Sequence, residues 1–200
     1  KQAMSLKTAI LSMFKATAYE SFWGIRELDL TIYKGESVGI IGPNGAGKST
    51  FLKTIAGVLP PTEGSLQVGG RVAPLLELGG GFNLELTGRE NIYLSCLLMG
   101  LKRKEVDERI DRIVEFSELQ DFIDSPIRTY STGMRSRLGF AIATDVDSEI
   151  LLLDEVFAVG DEKFRRKATE RTESFFELKR TVVMVSHNLH LVNKHCRRVI

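Results

Sequence analysis

The sequence feature that most constrains the fold is a glycine-rich segment with the letters GPNGAGKST. An apolar run at 37–41 precedes it and predicts a buried strand, and residues 51–56 after it predict the first turns of a helix. In this order the pattern G-x-x-x-x-G-K-[ST] predicts a phosphate cradle, because glycines let backbone N–H groups close around an anion. The residues of this predicted phosphate loop are Gly42, Pro43, Asn44, Gly45, Ala46, Gly47, Lys48, Ser49 and Thr50.

Three side chains near this loop have predicted roles in holding a nucleotide. Lys48 is placed to reach the β- and γ-phosphates, and Ser49 to offer its hydroxyl to Mg²⁺. Upstream, Trp23 is the preferred flat apolar platform for a base, and Phe22 is the alternative.

Composition limits the classes of protein that this chain can belong to. Two hundred residues suit one compact domain or a core with a small inserted lobe. A net charge of +1 gives no overall basic field, so we expect no nucleic-acid partner. Cys96 and Cys196 lie far apart and predict reduced, packed thiols, and no apolar run is long enough to span a bilayer. Because the sequence stops inside an apparent strand at Ile200, we expect the polypeptide to continue beyond it.

The first part of the chain predicts a helix and then strands. Apolar residues at helical spacing within 5–15 predict a short amphipathic helix, which either packs on its own core or faces a membrane or partner. Alternation at 28–32 predicts a strand with one wet face, and 65–68 and 71–78 predict two more.

A helical block at 88–128 interrupts the strand–helix alternation and predicts an inserted lobe. Thr87 and Glu90 have the spacing of a capping box. A helix is predicted over 104–116, with one apolar face and i,i+4 ion pairs on the other. The apolar residues are Val106, Ile110, Ile113 and Val114, and the pairs are Glu105 with Arg109 and Glu108 with Arg112.

Two further stretches predict buried strands that end in polar residues. The apolar run before Asp154 and Glu155 predicts a strand that delivers carboxylates at its C-terminal edge, where α/β sheets bind ligands. Asp154 is placed for the Mg²⁺ shell and Glu155 for polarising a water. The run 181–186 is followed by His187. We expect this histidine at the same edge of the sheet as Asp154 and therefore interpret it as functional.

A small polar segment at 130–134 precedes an apolar run and predicts a helix N-terminus at Ser131 and Gly133. Taken alone, it is equally typical of an ordinary N-cap serine.

In this order, the motifs resemble those of the nucleotide-binding subunit of an ATP-binding-cassette transporter, from about Trp23 to the end of the chain. Within that superfamily the chain is most similar to exporters of bacterial polysaccharides: O-antigen, capsule and teichoic acid. The stretches that carry this narrower likeness are LLELGGGF at 75–82, LTGREN at 86–91, YSTGM at 130–134 and DEVFAVGD at 154–161.

The resemblance implies a role for each matching residue. Glu155 would be the catalytic base, His187 the switch histidine at the γ-phosphate, and Asp161 a loop aspartate facing a second subunit. Ser131 and Gly133 would be signature residues that act on the nucleotide of a second copy. The chain departs from the usual L-S-G-G-Q at three positions, and the glutamine expected before the helical lobe is replaced by Glu77 or Leu78.

The resemblance also implies an architecture and partners. The expected fold is α/β, a P-loop NTPase (RecA-like) parallel sheet core with an antiparallel β subdomain and an inserted helical subdomain. The predicted divisions are 1–87, 88–140 and 141–200. The expected assembly is a homodimer that sandwiches two ATP with Mg²⁺. It would be bound to integral membrane permease subunits at the cytoplasmic face of the bacterial inner membrane, and would drive export of a lipid-linked polysaccharide.

Three other classes of protein fit the sequence less well. A chromosome-maintenance ATPase would need a long coiled coil between phosphate loop and signature, and a GTPase would need N-K-x-D, to which 193–196 is the nearest string. A small-molecule kinase would not need the 131–133 signature. Transport of another substrate, or a P-loop ATPase without a transport role, stays the alternative.

Overall fold

The computed structural model describes residues 22–76, 78–154 and 160–200. The predicted helix within 5–15, Glu77 and Glu155 lie outside these ranges. The strands are β1 (Ser37–Ile40), β2 (Val72–Leu75), β3 (Ile150–Asp154), β4 (Thr181–Val185) and β5 (Arg198–Val199). The helices are α1 (Lys48–Ile55), α2 (Gly88–Leu98), α3 (Arg103–Asp107), α4 (Ile110–Ser117), α5 (Thr132–Asp145), α6 (Glu162–Glu177) and α7 (Leu189–His195), with a 3₁₀ turn at Ile127–Thr129.

The five strands form one parallel sheet in the order β2-β3-β4-β1-β5. Central β4 is buried along its whole length because helices cover both faces of the sheet, and all its residues except Thr181 are apolar. Its side chains alternate between two clusters: Val182 and Met184 pack on one side, and Val183 and Val185 on the other. The first cluster includes side chains of α5, α6 and α7, and the second includes Leu52 of α1.

A third apolar cluster lies within α2 to α5 and forms a helical lobe. Helix α5 packs against both the helical lobe and the sheet. Leu138 and Ile142 pack into the lobe, while Phe140 and Ala143 pack against the sheet. The predicted division at residue 140 therefore falls inside a helix that is apolar on two sides. No helix of the described residues is long and apolar enough to cross a membrane.

The helix predicted over 104–116 is two helices, α3 and α4, although its four apolar side chains are buried as predicted. The predicted i,i+4 pairs are wrong, since Glu105 instead accepts from the backbone N–H of Lys102 at 2.7 Å. Arg109 and Arg112 point toward Asp145, at 3.6 and 2.7 Å. These ion pairs tie the lobe to the last turn of α5.

The predicted antiparallel β subdomain is not formed by the described residues. Residues 28–32 and 65–68 are irregular, and 71–78 contributes the short strand β2, which pairs parallel with β3. Antiparallel pairing in the described ranges is limited to an isolated bridge between Thr87 and Pro126. A strand needs a neighbouring strand to satisfy its backbone, which alternation alone does not supply. The parallel core and the helical insertion of the predicted fold are confirmed.

Candidate nucleotide-binding site

A cavity of about 550 Å³ opens at the edge of the sheet where the parallel strands end. Residues at the C-terminal ends of β3 and β4, or just after β1, β2 and β4, line it, because parallel strands place their C-terminal ends at one edge. Its lining residues are Phe22, Gly24, Asn44, Gly45, Gly47, Lys48, Ser49, Thr50, Leu76, Asp154, Val185 and His187.

The predicted phosphate loop requires glycine at two points for different reasons. Gly47 has φ of 88°, and a Cβ there would lie 2.1 Å from the carbonyl oxygen of Gly24. Gly45 has φ of 84°, and a Cβ there would meet nothing within 4 Å. The loop therefore packs tightly against Gly24 and Ile25 at Gly47, whereas its backbone at Gly45 has open space beside it; both glycines line the cavity.

Lys48 begins α1 and bends back over the loop. Its Nζ donates to the carbonyl oxygens of Gly42 at 2.8 Å and Pro43 at 2.9 Å. These bonds hold the ammonium beside the first turn of α1, whose N-terminal backbone amides carry partial positive charge. The loop, the ammonium and the helix terminus together suit an anion with several oxygens.

Ser49 and Asp154 meet across the cavity although they are far apart in the chain. Ser49 Oγ donates to Asp154 Oδ2 at 3.2 Å. The described ranges contain no group of three or more His, Cys, Asp or Glu placed to hold a metal. Mg²⁺ at nucleotide sites takes one or two carboxylates together with phosphate and water oxygens, so this hydroxyl and carboxylate fit that ion.

His187 lines the cavity from the turn between β4 and α7. The turn is fixed on both sides of the histidine: Ser186 Oγ accepts from the N–H of Asn188 at 3.1 Å. The Asn188 side chain in turn caps α7 by accepting from the N–H of His190. The predicted position of His187 at the same edge as Asp154 is therefore realised.

Of the two aromatic candidates, Phe22 lines the cavity and Trp23 is not among its lining residues. Phe22 is 90% exposed, so a planar ligand can cover the ring. The cavity lining therefore favours Phe22 over Trp23, the predicted platform. Leu76 and Val185, which were not selected from the sequence, also line the cavity. Leu76 directly follows β2 and Val185 is the last residue of β4, so the C-terminal end of a strand, the signal used for Asp154, could have pointed to both.

Ser131 and Gly133 do not line this cavity. Both are exposed at the start of α5, where Ser131 Oγ accepts from the N–H of Met134 at 3.2 Å, as an N-cap does. The neighbouring Tyr130 is buried and donates to the carbonyl of Phe122 at 2.7 Å. Burial raises the pKa of Tyr130 to about 12, so its hydroxyl remains a donor that anchors the segment before Ser131.

Asp161 also lies outside the cavity lining. Its Oδ1 accepts from the N–H of Phe164 at 2.8 Å and caps α6. Its other oxygen lies 3.8 Å from Nη1 of Arg137, a residue of α5. The structure therefore joins Asp161 to α5, the helix that Ser131 caps. The predicted catalytic base, Glu155, lies outside the described residues.

Comparison with known proteins places this geometry in a family. A model of the ABC transporter family matches residues 25–158. An O-antigen export system ATP-binding protein of Klebsiella pneumoniae is 51% identical over 94% of this chain, which spans 76% of that protein. A teichoic acids export ATP-binding protein of Enterococcus faecalis is 45% identical over 97% of this chain, which spans 43% of that protein.

Solved structures show the same fold at low sequence identity. A bacterial ABC transporter cassette solved as a dimer superposes with a TM-score of 0.74 at 24% identity, covering 92% of this chain and 88% of that one. An ATP-binding cassette solved as a dimer after hydrolysis, bound to ADP and phosphate, gives a TM-score of 0.73 at 24% identity, covering 91% and 89%. The extent of the family match and the identity to its members confirm the predicted resemblance. The chain belongs to the ABC transporter family, as one of its ATP-hydrolysing cassettes.

Proposed function

We propose that this chain powers export of a lipid-linked polysaccharide, of the O-antigen, capsule or teichoic-acid kind, across a bacterial inner membrane. The observation that carries the proposal is the 51% identity to an O-antigen export ATP-binding protein over 94% of the chain. The 45% identity to a teichoic acid export protein supports the same substrate class, a polymer on a lipid carrier. Transport of a different substrate by the same motor is the alternative.

In the proposed reaction, the residues around the cavity bind ATP and orient it. Lys48 and the open backbone at Gly45 hold phosphate oxygens, and Phe22 covers the base. Ser49 and Asp154 would hold Mg²⁺, which neutralises charge on the phosphates. Glu155 directly follows Asp154 in sequence, so it is the proposed base that takes the proton of the attacking water. His187 faces the same cavity and is proposed to contact the γ-phosphate.

We propose that a second copy is needed because the predicted signature residues do not line the described cavity. Ser131 and Gly133 are exposed and outside the cavity lining, so we propose that they close the ATP site of a second copy arranged head-to-tail. Loss of one preorganised donor to a transition state costs about 2.7–4 kcal/mol. A lone copy should therefore bind ATP and hydrolyse it slowly.

We propose that the assembly sits on the cytoplasmic face of the membrane, attached to permease subunits. The described residues include no membrane-spanning helix, and the relatives are named as export-system components. Closure of the two copies around ATP would move the helical lobe, which is tied to α5 through shared apolar packing.

The experiment is reconstitution of the full-length protein with the permease that co-purifies with it, in liposomes loaded with candidate lipid-linked polymers. We expect ATP-dependent translocation of a polysaccharide and none with Glu155→Gln. In that variant ATP affinity should stay the same, while turnover falls by about 10²–10⁴-fold if Glu155 is the base.

Two outcomes would contradict different parts of the proposal. ATP turnover without polymer transport, but with transport of another substrate, would overturn the polysaccharide assignment and leave the motor intact. Near-normal turnover of Glu155→Gln would overturn the role of Glu155.

A further inference from the structure

Helix α7, which begins two residues after His187, packs on the sheet through its middle. A Cβ placed on Gly39 of β1 would lie 2.6 Å from Cγ1 of Val192 and 3.3 Å from Sγ of Cys196. Because Gly39 has no side chain, α7 lies directly against the backbone of the strand that leads into the phosphate loop. Val192 is buried, and its β-branched side chain has little rotational freedom within a helix, so this contact is a fixed point for α7.

The last turn of α7 packs on a second element, helix α6. The imidazole of His195 stacks on the ring of Phe176, with 4.3 Å between the ring centroids and 20° between the ring planes. Beside this stack, Lys194 Nζ donates to Glu173 Oε1 at 2.6 Å. Both side chains of this ion pair are more than a third exposed, so we expect the aromatic stack to hold the end of α7 more firmly than the ion pair does.

His195 is an aromatic packing group near neutral pH and not a charged one. Burial lowers the pKa of its imidazole, Lys194 lowers it further, and Glu173 acts in the opposite direction. His195 is also absent from the residues that line the nucleotide cavity. Any effect of His195 on hydrolysis must therefore pass through the helix that carries it.

His187 stands at the opposite end of this helix, joined to it by a fixed turn. The Asn188 side chain accepts from the N–H groups of His190 and Leu191 at 3.1 and 3.3 Å and so caps α7. The helix has seven residues, and Val192 is the middle one. Because a helix of this length is a stiff rod of roughly 10 Å, a tilt about the Val192 contact that moves the last turn also moves the first turn and His187.

We infer that His195 is a positioning residue for ATP hydrolysis: its stack on Phe176 sets the tilt of α7 about the Gly39 contact, and thereby the position of His187 in the nucleotide cavity. The inference rests on the proposed function, because it depends on a role for His187 at the γ-phosphate. It gives His195 no contact with the nucleotide.

The test is His195→Ala in the full-length protein. Removing the ring releases the last turn of α7 from Phe176, while the residues that bind ATP are unchanged. We expect kcat to fall about tenfold or more with KM for ATP unchanged, because a displacement of about 1 Å at a reacting group can cost about 10²-fold. His195→Phe keeps a ring that can stack on Phe176 and should restore kcat.

His190→Ala is the matched control, because it removes another histidine from the same helix. The His190 side chain is exposed, and Asn188 caps α7 through the backbone N–H of that residue, which alanine keeps. This variant should therefore have the kcat and the KM of the wild type.

A double-mutant cycle tests whether His195 acts through His187. The effects of independent residues on kcat multiply, whereas those of residues that act as one unit do not. We expect His187→Ala to lower kcat, and His195→Ala to lower it no further in that variant. The NMR resonances of the His187 ring, assigned by their loss in His187→Ala, should shift in His195→Ala, return in His195→Phe and stay unchanged in His190→Ala.

Wild-type kcat in a folded His195→Ala protein, or unchanged His187 resonances, would overturn the inference. So would a further loss of kcat when His195→Ala is added to His187→Ala, because His195 would then act by another route. If the turnover of His187→Ala is too low to show a further loss, the resonances decide.

A second variant covers the case in which His195→Ala does not fold. Phe176→Leu removes the same stack from the side of α6 and is judged by the same criteria. Wild-type kcat in His187→Ala would instead contradict the proposed role of His187, so failure of the inference and failure of the proposed function are distinguishable.

Discussion

The two predicted halves of the ATP site are built in different ways. The phosphate half is assembled at the ends of parallel strands, where Ser49 and Asp154, 105 residues apart, come within 3.2 Å. The signature half is a single helix start, with Ser131 and Gly133 exposed to solvent and absent from the cavity lining. Ser49 and Asp154 of the first half line one cavity of a single chain, whereas Ser131 and Gly133 of the second half do not line that cavity.

The two halves therefore differ in which secondary-structure elements position their functional residues. Strand ends converge because the sheet forces them together, so binding is a property of the single fold. A helix start on the lobe presents its amides outward, so it can act on something that docks against it. The following variants test whether ATP binding depends on the strand ends alone, and whether ATP hydrolysis depends on the helix start as well.

The largest effect is expected for Lys48→Ala. The change removes the ammonium that the carbonyls of Gly42 and Pro43 hold at the phosphate loop. Both ATP binding and turnover should collapse, turnover by at least about 10²–10³-fold, the usual cost of one lost donor. Binding of a fluorescent ATP analogue and phosphate release measure the two effects. Lys48→Arg is the control that keeps the charge, and near-normal binding by Lys48→Ala would contradict the assignment of the phosphate half.

Ser131→Ala should impair ATP hydrolysis without impairing ATP binding. ATP affinity should be unchanged, while turnover falls by about 10²–10³-fold because the donor acts in a second copy. Loss of the N-cap should also lower the free energy of unfolding by about 1 kcal/mol, which urea denaturation measures. Ser136→Ala, on the same helix, is the control.

Mixing the two variants sharpens this test. A dimer of one Lys48→Ala copy and one Ser131→Ala copy contains one site with both an intact lysine and an intact serine. We expect mixing to restore measurable turnover to two nearly inactive proteins. Absence of any restoration would indicate that Ser131 serves its own chain, against the proposed division.

A smaller effect is expected from removing the aromatic ring that is proposed to stack on the base. Phe22→Ala should weaken ATP binding by about 1–3 kcal/mol, the usual value of one stacked base, because Phe22 lines the cavity. Trp23→Ala should change ATP affinity much less. Titration of both variants with ATP at matched protein concentration distinguishes them, and the opposite order would restore Trp23 as the platform.

The smallest effect is a pH dependence far from the cavity. Arg109 donates to Asp147 at 2.5 Å and thereby lowers the pKa of that carboxyl group. Because the pKa is lower in the folded state, the pair stabilises the fold above the ordinary pKa of aspartate, and this stabilisation is lost as pH falls through the lowered value. The carboxyl group is 68% exposed, so the contribution should be at most about 1 kcal/mol.

Urea denaturation of Asp147→Asn tests this pH dependence. The variant should be less stable than the wild type at pH 7, and the difference should shrink toward pH 3. Asp121→Asn changes an exposed carboxylate outside this cluster and serves as the control. A difference that is constant with pH would show that the ion pair contributes nothing through its charge.

Features set by a few neighbouring residues could be predicted from the sequence. The capping box of Thr87 and Glu90 and the N-cap at Ser131 are both formed, because each needs residues three positions apart and a following helix. The buried strands β3 and β4 also match their apolar runs, which no exposed segment would carry.

Features that depend on distant partners could not be predicted. Residues 28–32 alternate like a strand, yet the described structure offers them no neighbouring strand. The helix over 104–116 divides at Glu108 and Arg109, and Arg109 reaches Asp145 and Asp147 in place of Glu105. That Phe22 and not Trp23 lines the cavity depends on the direction in which the chain passes it, which the local pattern does not contain.

For this protein, sequence alone determined that a glycine-rich loop follows a buried strand and that another buried strand ends in Asp154, because both are local in the chain. The tertiary structure decided which of these pieces meet. The sheet order β2-β3-β4-β1-β5 brings Leu76, Asp154 and His187 to the phosphate loop, since parallel strands all end at one edge. The same packing places Ser131 away from the cavity, at the exposed start of a helix shared between lobe and sheet, and the proposed dependence on a second chain rests on this separation.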